Sequence, residues 1–222
     1  PAALRMGRTG AAIVNRGIVG TLSQSITLAN PGDTLTLSFK FRFTTTAGST
    51  EPYNADGGFT FGFYNSNNTA VIENDSTASD NDFGFRGEFG SGTTGRVAIF
   101  KETNVSTSGG GLGTGTDGGA VTVNNGVNVA VGDFLPHTAS LTLTYNSPTD
   151  MGISLTYDGN AVGSGTSTVP FFTFDEVVFS QGGGNGFLLD DVVVSSTVPE
   201  PGSVAFVALG GVLCAAGCRR RK

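Results

Sequence analysis

The sequence is poor in the residue types from which many enzyme and metal sites are built. Its 222 residues include no tryptophan, one histidine and two cysteines, and only 14% of them are charged. Both cysteines, Cys214 and Cys218, lie near the C-terminus. This composition excludes a thiol nucleophile, a thiolate metal site and a multi-histidine metal site from the body of the chain. The lack of tryptophan also removes the strongest aromatic platform for a sugar ring.

The few charges that are present are unevenly distributed. The chain has 12 basic and 18 acidic residues, a net charge of −6, but four of the bases occupy the last four positions. Residues 1–198 contain 8 basic against 17 acidic residues, a net charge of −9. An acidic body of this kind is a poor partner for nucleic acid or for an anionic membrane surface. The apolar fraction of 38% is still enough for a folded core.

The body of the chain has the period-two alternation of β-strands. Residues 34–43 place leucine and phenylalanine on one face, and hydroxyl-bearing or basic side chains on the other. Alternation or a continuous apolar run marks further segments: residues 59–63, 141–145, 153–157, 172–180 and 187–195. Clusters of Gly, Asn, Asp and Pro separate these segments, and no window has a helical period. The pattern predicts one all-β sandwich or jelly roll.

The last 24 residues have a different organisation. The triplet Pro199, Glu200 and Pro201 is followed by the uncharged stretch 202–218 and then by four basic residues: Arg219, Arg220, Arg221 and Lys222. At about 1.5 Å per residue, the uncharged stretch spans roughly 25 Å, the lower limit for a membrane helix. The basic cluster would remain cytoplasmic, which places the body outside the cytoplasm. The alternative, a buried helix of a soluble domain, would be amphipathic and would not end in four bases.

This order of parts resembles the PEP-CTERM sorting signal. The resemblance implies an exported protein that an exosortase-type membrane enzyme processes near the triplet, and that associates with extracellular polysaccharide or biofilm. The two prolines favour an extended backbone that a processing site could accept. We therefore expect an extracytoplasmic body over 1–198 and a sorting signal over 199–222. The chain begins at Pro1 without an apolar leader, so we expect a processed or truncated start.

Three segments of the body resemble the legume, or L-type, lectin pattern on the concanavalin A-like jelly roll. Residues 34–43, followed by Ala-Asp-Gly-Gly at 55–58 and Phe-Thr-Phe at 59–61, are similar to that family's early strand, turn and aromatic strand. Residues 139–157 are similar to its hairpin around a Tyr-Asn-Ser turn, and residues 177–183 to its late strand and glycine loop. Together these segments cover most of residues 20–196 in the family's order. The resemblance implies a lectin-like jelly roll.

The resemblance also implies a sugar site. In that family, the aspartate of the Ala-Asp-Gly turn accepts hydrogen bonds from sugar hydroxyls, and the matching residue is Asp56. Gly57 and Gly58 would let the backbone approach the ligand. The late glycine loop contributes Asn185, whose amide suits paired hydroxyls, and Tyr53 could stack on a sugar ring. The alternative is purely structural, because Asp-Gly is a common turn dipeptide and a single tyrosine is an ordinary surface residue.

The segment that corresponds to the family's metal-binding strand departs from the pattern. Phe100 and Lys101 stand where ligands are expected, and only Glu102 and Asn104 could coordinate a cation. We therefore predict no resident cofactor, with calcium left as the one open ion. A jelly-roll glucanase would carry Glu-x-Asp-x-Glu on one strand, and the sequence has no such spacing, so we predict that the protein is not an enzyme.

Two further polar residues have structural interpretations. Tyr64 is out of phase with the inward phenylalanines at 59–63, so it should face away from that side of the core. His137 follows Pro136 at a strand start and has no triad partner nearby in the sequence, so it should be structural.

The sequence supports two functions. The first is an exported carbohydrate-binding module associated with exopolysaccharide. The alternative is a structural surface or biofilm-matrix protein that uses a degenerate lectin fold as a durable unit. Saturable glycan binding that depends on Asp56 would distinguish the first from the second.

Overall fold

The computed structural model describes residues 4–6, 16–44, 59–68, 82–90, 97–103, 123–124, 127–129, 135–181 and 186–197. Within these residues the chain is all-β, as predicted, with twelve strands and no helix. The strands are β1 Leu4–Met6, β2 Arg16–Thr27, β3 Thr34–Thr44, β4 Phe59–Asn65, β5 Phe83–Phe89, β6 Val97–Thr103, β7 Val123–Asn124, β8 His137–Ser147, β9 Asp150–Tyr157, β10 Asn160–Ser167, β11 Thr173–Gln181 and β12 Gly186–Ser196.

The strands form two antiparallel sheets that pack face to face. The seven-stranded sheet has the order β1-β12-β3-β8-β9-β10-β7, and the five-stranded sheet has the order β2-β11-β4-β5-β6. Strands that are distant in the chain lie side by side in both sheets, as β3 and β12 do. This exchange of the chain between two layers is the jelly-roll arrangement that the sequence predicted.

Phenylalanine dominates the core between the two sheets. The ring of Phe39 lies 4.9 Å from those of Phe61 and Phe179, edge-to-face in both cases. Phe41 stacks on Phe59 with 4.9 Å between ring centroids. A buried phenylalanine contributes about 1.5–3 kcal/mol, and an aromatic pair about 0.5–1.5 kcal/mol more. The predicted inward face of residues 34–43 is confirmed, because all five of its apolar side chains are 3% exposed or less.

Two turns built on aspartate connect the strands where the sequence predicted breaks. Between β9 and β10, Asp158 and Gly159 have φ angles of 48° and 77°, as a two-residue type I′ hairpin requires. Before β3, the Asp33 carboxylate accepts hydrogen bonds from the backbone N–H groups of Ala29 and Asn30, each 2.8 Å long. The aspartate thereby replaces the backbone partners that the chain loses at the turn.

One end of the sandwich is defined by a set of strand ends that meet there. In the five-stranded sheet, Phe59 pairs with both Phe89 and Gln181. From the other sheet, Phe41 contacts Phe59 and the ring of His137, so the start of β8 lies at the same end. We call this the Phe59 end. It is where the predicted site segments join the described strands.

Within the described residues, no helix is long and apolar enough to cross a membrane. The predicted membrane helix at 202–218 lies outside those residues, as do the triplet at 199–201 and the basic tail at 219–222. The proposed boundary between body and sorting signal therefore stays a prediction.

Candidate functional site

The residues predicted to bind sugar all fall in two connecting segments outside the described residues. Tyr53, Asp56, Gly57 and Gly58 lie in the segment between β3 and β4, and Asn185 lies in the segment between β11 and β12. Their side-chain positions stay predictions. The described strands nevertheless fix where both segments begin and end.

The anchors of the two segments are hydrogen-bonded neighbours. The first segment leaves the seven-stranded sheet after Thr44 and enters the five-stranded sheet at Phe59. The second leaves the five-stranded sheet after Gln181 and enters the seven-stranded sheet at Gly186. Thr44 pairs with Gly186, and Phe59 pairs with Gln181. Both segments therefore begin and end at the same corner of the Phe59 end.

An aromatic and polar cluster lies at the same end. The Nδ1 atom of His137 is 2.8 Å from Oδ2 of Asp158, and the backbone N–H of Thr138 donates to Oδ1 of Asp158, also at 2.8 Å. The ring of Tyr157 stacks on His137 with 4.8 Å between centroids. His137 is 8% exposed. These contacts hold the β9–β10 turn against the start of β8, in keeping with the structural role predicted for His137.

The outer face of the five-stranded sheet carries a buried polar cluster that sequence reasoning missed. Its members are Tyr64, Arg86, Glu102 and Glu176, which are 1%, 3%, 7% and 1% exposed. Register explains the cluster: Tyr64 pairs with both Gly84 and Glu176, and Gly84 pairs with Glu102. The prediction that Tyr64 faces away from the main core is confirmed, because it packs instead with Val178 on this outer face.

Burial is the main cause of the pKa shifts of Tyr64 and Glu176 in this cluster. Arg86 Nη1 lies 3.6 Å from Glu102 Oε2, and the guanidinium lies 4.8 Å from the ring centroid of Phe100. Burial and the charge of Glu102 raise the pKa of Tyr64, so its hydroxyl stays protonated. Burial, with a smaller contribution from Asp175, raises the pKa of Glu176 to about 7. Glu176 can therefore hold or release a proton near neutral pH.

The residues of β6 do not fit the metal-binding strand of the lectin family. Glu102, the one carboxylate of β6, forms an ion pair with Arg86. Phe100 packs under the same guanidinium, and the Lys101 ammonium lies 4.8 Å from the ring centroid of Phe171. The described ranges contain no group of three or more His, Cys, Asp or Glu side chains arranged to hold a metal ion. Asn104 lies outside those ranges.

Comparison with known proteins identifies the C-terminal segment. Residues 197–222 match the model of the PEP-CTERM protein-sorting motif. This match supports export of the chain and its processing by an exosortase. No curated protein matches the sequence.

Solved structures with the same fold are mostly lectin domains. The potassium-bound Emp46p carbohydrate recognition domain is 12% identical, with a TM-score of 0.50 over 82% of this chain and 78% of that one. The legume lectin-like domain from Entamoeba histolytica is 12% identical, with a TM-score of 0.51 over 87% and 83% of the two chains. The alginate lyase Aly36B, solved with an alginate tetrasaccharide, is 12% identical, with a TM-score of 0.52 over 86% and 80%.

Identities this low relate the folds alone, and the same fold carries both sugar-binding and sugar-cleaving proteins. The potassium-bound neighbour also means that cation binding occurs on this fold. The body of the chain therefore has the jelly-roll fold that these lectin domains share, and residues 197–222 match the PEP-CTERM sorting motif.

Proposed function

We propose that the protein is an exported carbohydrate-binding module that attaches to extracellular polysaccharide. The observation that supports this most directly is the pairing of the segment anchors, Thr44 with Gly186 and Phe59 with Gln181. Because these anchors pair, the two predicted sugar-binding segments begin and end at neighbouring positions. A sugar that contacts both segments needs such an arrangement.

The predicted side chains have complementary chemistry for a sugar. The Asp56 carboxylate accepts hydrogen bonds from two adjacent hydroxyls, and the Asn185 amide both donates and accepts. Gly57 and Gly58 leave room for the ring beside the backbone. Tyr53 supplies an apolar face for the C–H side of the ring.

Binding in this proposal does not require calcium. Arg86 already neutralises Glu102, the carboxylate that would be expected to coordinate the cation. Removal of divalent cations with a chelator should therefore leave the affinity unchanged. The acidic body, with its net charge of −9 over residues 1–198, favours glycans over nucleic acid as partners.

The experiment is calorimetric titration of the full-length chain, kept in mild detergent, against soluble polysaccharides. Asp56→Asn is the informative variant, because asparagine is also favoured in turns, while it removes the negative charge and replaces one acceptor oxygen by an NH2 donor. We expect the variant to lose about tenfold or more in affinity, as for a charge-assisted hydrogen bond. Asp191→Asn, at an exposed carboxylate of β12, is the matched control. Equal binding by both variants would reject Asp56 as a ligand.

A structural matrix protein is the second candidate function. Two observations favour it. Glu102, on the strand that corresponds to the metal-binding strand of the lectin pattern, is paired with Arg86, and the sequence has no tryptophan. A folded full-length sample that gives no heat with any glycan would favour this function over the first.

A further inference from the structure

The outer face of the seven-stranded sheet is built of hydroxyl side chains where β8, β9 and β10 lie together. Alternation places Thr144, Ser154, Ser164 and Thr166 on this face, and their opposite neighbours Leu143, Ile153 and others fill the core. Here the side chains are short, uncharged and able both to donate and to accept hydrogen bonds.

A groove crosses these three strands. It is a shallow groove, open to solvent, with a volume of about 290 Å³, and its hydroxyl lining comes from Thr144, Ser154, Ser164 and Thr166. Register accounts for it: Gly152 on β9 lies between Thr144 on β8 and Thr166 on β10, so the middle position of that row has no side chain. The volume is close to the lower limit for small-ligand sites, which is the size of one or two sugar rings.

The side-chain amide of Asn146 lies in the groove beside Gly152. A Cβ at Gly152 would lie 3.1 Å from Nδ2 of Asn146, so the amide occupies the space that a side chain at 152 would fill. Nδ2 also donates to Oδ1 of Asp150 at 3.0 Å, which fixes the amide orientation. Among the described residues its carbonyl oxygen accepts no hydrogen bond, so it can accept one from a ligand.

The groove hydroxyls differ from several other hydroxyls on the same face. Outside the groove, two such pairs of hydroxyls bond to each other: Thr36 with Thr142 at 3.0 Å, and Ser140 with Thr156 at 2.6 Å. In the described part of the chain, the hydroxyls of Thr144, Ser154, Ser164 and Thr166 form no side-chain hydrogen bond with the protein. Four donor–acceptor groups therefore converge on the groove with their hydrogen-bonding capacity available.

We propose that this groove is a second saccharide-binding site, and that it takes a neutral polysaccharide chain. Hydroxyls and one amide complement sugar hydroxyls, and no cationic side chain lines the groove among the described residues to pair with a uronate or sulfate. The Asp150 carboxylate, which accepts from the Asn146 amide beside the groove, disfavours anionic glycans. Along β8, seven residues separate Thr144 from His137 at the Phe59 end, or roughly 24 Å. The two sites can therefore hold two chains at once and connect them.

The test titrates the full-length chain with soluble neutral polysaccharides (a dextran, a mannan and a mixed-linkage glucan) and with alginate as the anionic probe. The informative variant is Ser154→Arg, which fills the groove from an exposed position. Ser195→Arg, on the same sheet face three strands away, is the matched control. Thermal unfolding of each variant verifies the fold. A second groove variant, Asn146→Ala, removes only the amide.

We expect at least one neutral polysaccharide to bind, Ser154→Arg to weaken the groove site at least tenfold, and Asn146→Ala to weaken it about threefold. Ser195→Arg and Asp56→Asn should leave binding at the groove unchanged. A loss of binding in Ser154→Arg alone therefore reports on the groove, and a loss in Asp56→Asn alone reports on the Phe59-end site. Folded Ser154→Arg protein that binds as well as Ser195→Arg protein would overturn the proposal. So would binding of alginate alone, or no binding of any neutral glycan.

Discussion

Glu176 shows how one residue can make the stability of the molecule depend on pH. Its side chain is 1% exposed, and its Oε2 has no hydrogen-bond partner within the described residues. Burial raises its pKa from the ordinary 4.5 to about 7. Between these two values the native state keeps a proton that the unfolded chain has lost. The contribution of Glu176 to stability should therefore be most favourable below the unfolded pKa and be lost as the pH rises through about 7.

At the same scale, Glu176→Gln should abolish this part of the pH dependence, because an amide cannot ionise. We expect Glu176→Gln to have the same free energy of unfolding as the wild type at about pH 4. At about pH 8 its free energy of unfolding should be higher, because the wild type must bury a charge there. Urea unfolding of both proteins at several pH values measures the difference. Parallel curves across the whole range would mean that Glu176 is solvated in the native state.

At the scale of the elements, the sequence predicted which face a side chain occupies better than what it touches. Period-two alternation is local, so the inward row of β3 and the outward direction of Tyr64 could be predicted before the structure was known. Contacts across strands depend on register, which one sequence does not specify. Gly87 is an example: a Cβ there would lie 2.6 Å from Cδ2 of Leu155 in the opposite sheet. Nothing near residue 87 in the sequence indicates that close approach.

The Arg86–Glu102 pair between β5 and β6 is a register-dependent contact of this kind, and it supports a prediction. Arg86→Met should destabilise the protein by about 3–5 kcal/mol, because it leaves a buried carboxylate without its cation. Adding Glu102→Met should recover much of that loss, since two buried apolar side chains need no partner. Chemical denaturation of the two single variants and the double variant gives the coupling energy. A double variant less stable than Arg86→Met would show that Glu102 is stabilised by other groups.

On the scale of the whole molecule, the two proposed sugar sites occupy different surfaces of one rigid sandwich. At the Phe59 end, the segments between β3 and β4 and between β11 and β12 would bind one glycan. On the outer face of the seven-stranded sheet, the groove across β8, β9 and β10 would bind another. The sequence indicated the first through a resemblance but not the second, because Ser and Thr on alternate positions look like an ordinary solvated face. Only the register of β8, β9 and β10 brings Gly152 between two threonines.

In the proposed function, the protein reaches polysaccharide outside the cell after its C-terminus is sorted, and the triplet at 199–201 is proposed to direct that step. Prolines on both sides favour an extended backbone around Glu200, which presents the carboxylate to the processing enzyme. In a host with the exosortase, we expect Glu200→Ala to leave the unprocessed chain in the membrane fraction, measured by fractionation and immunoblotting. Gly202→Ala, two positions further on, is the control and should be processed normally. Release of the Glu200→Ala chain at the wild-type rate would show that the carboxylate is not recognised and that the helix and basic tail suffice.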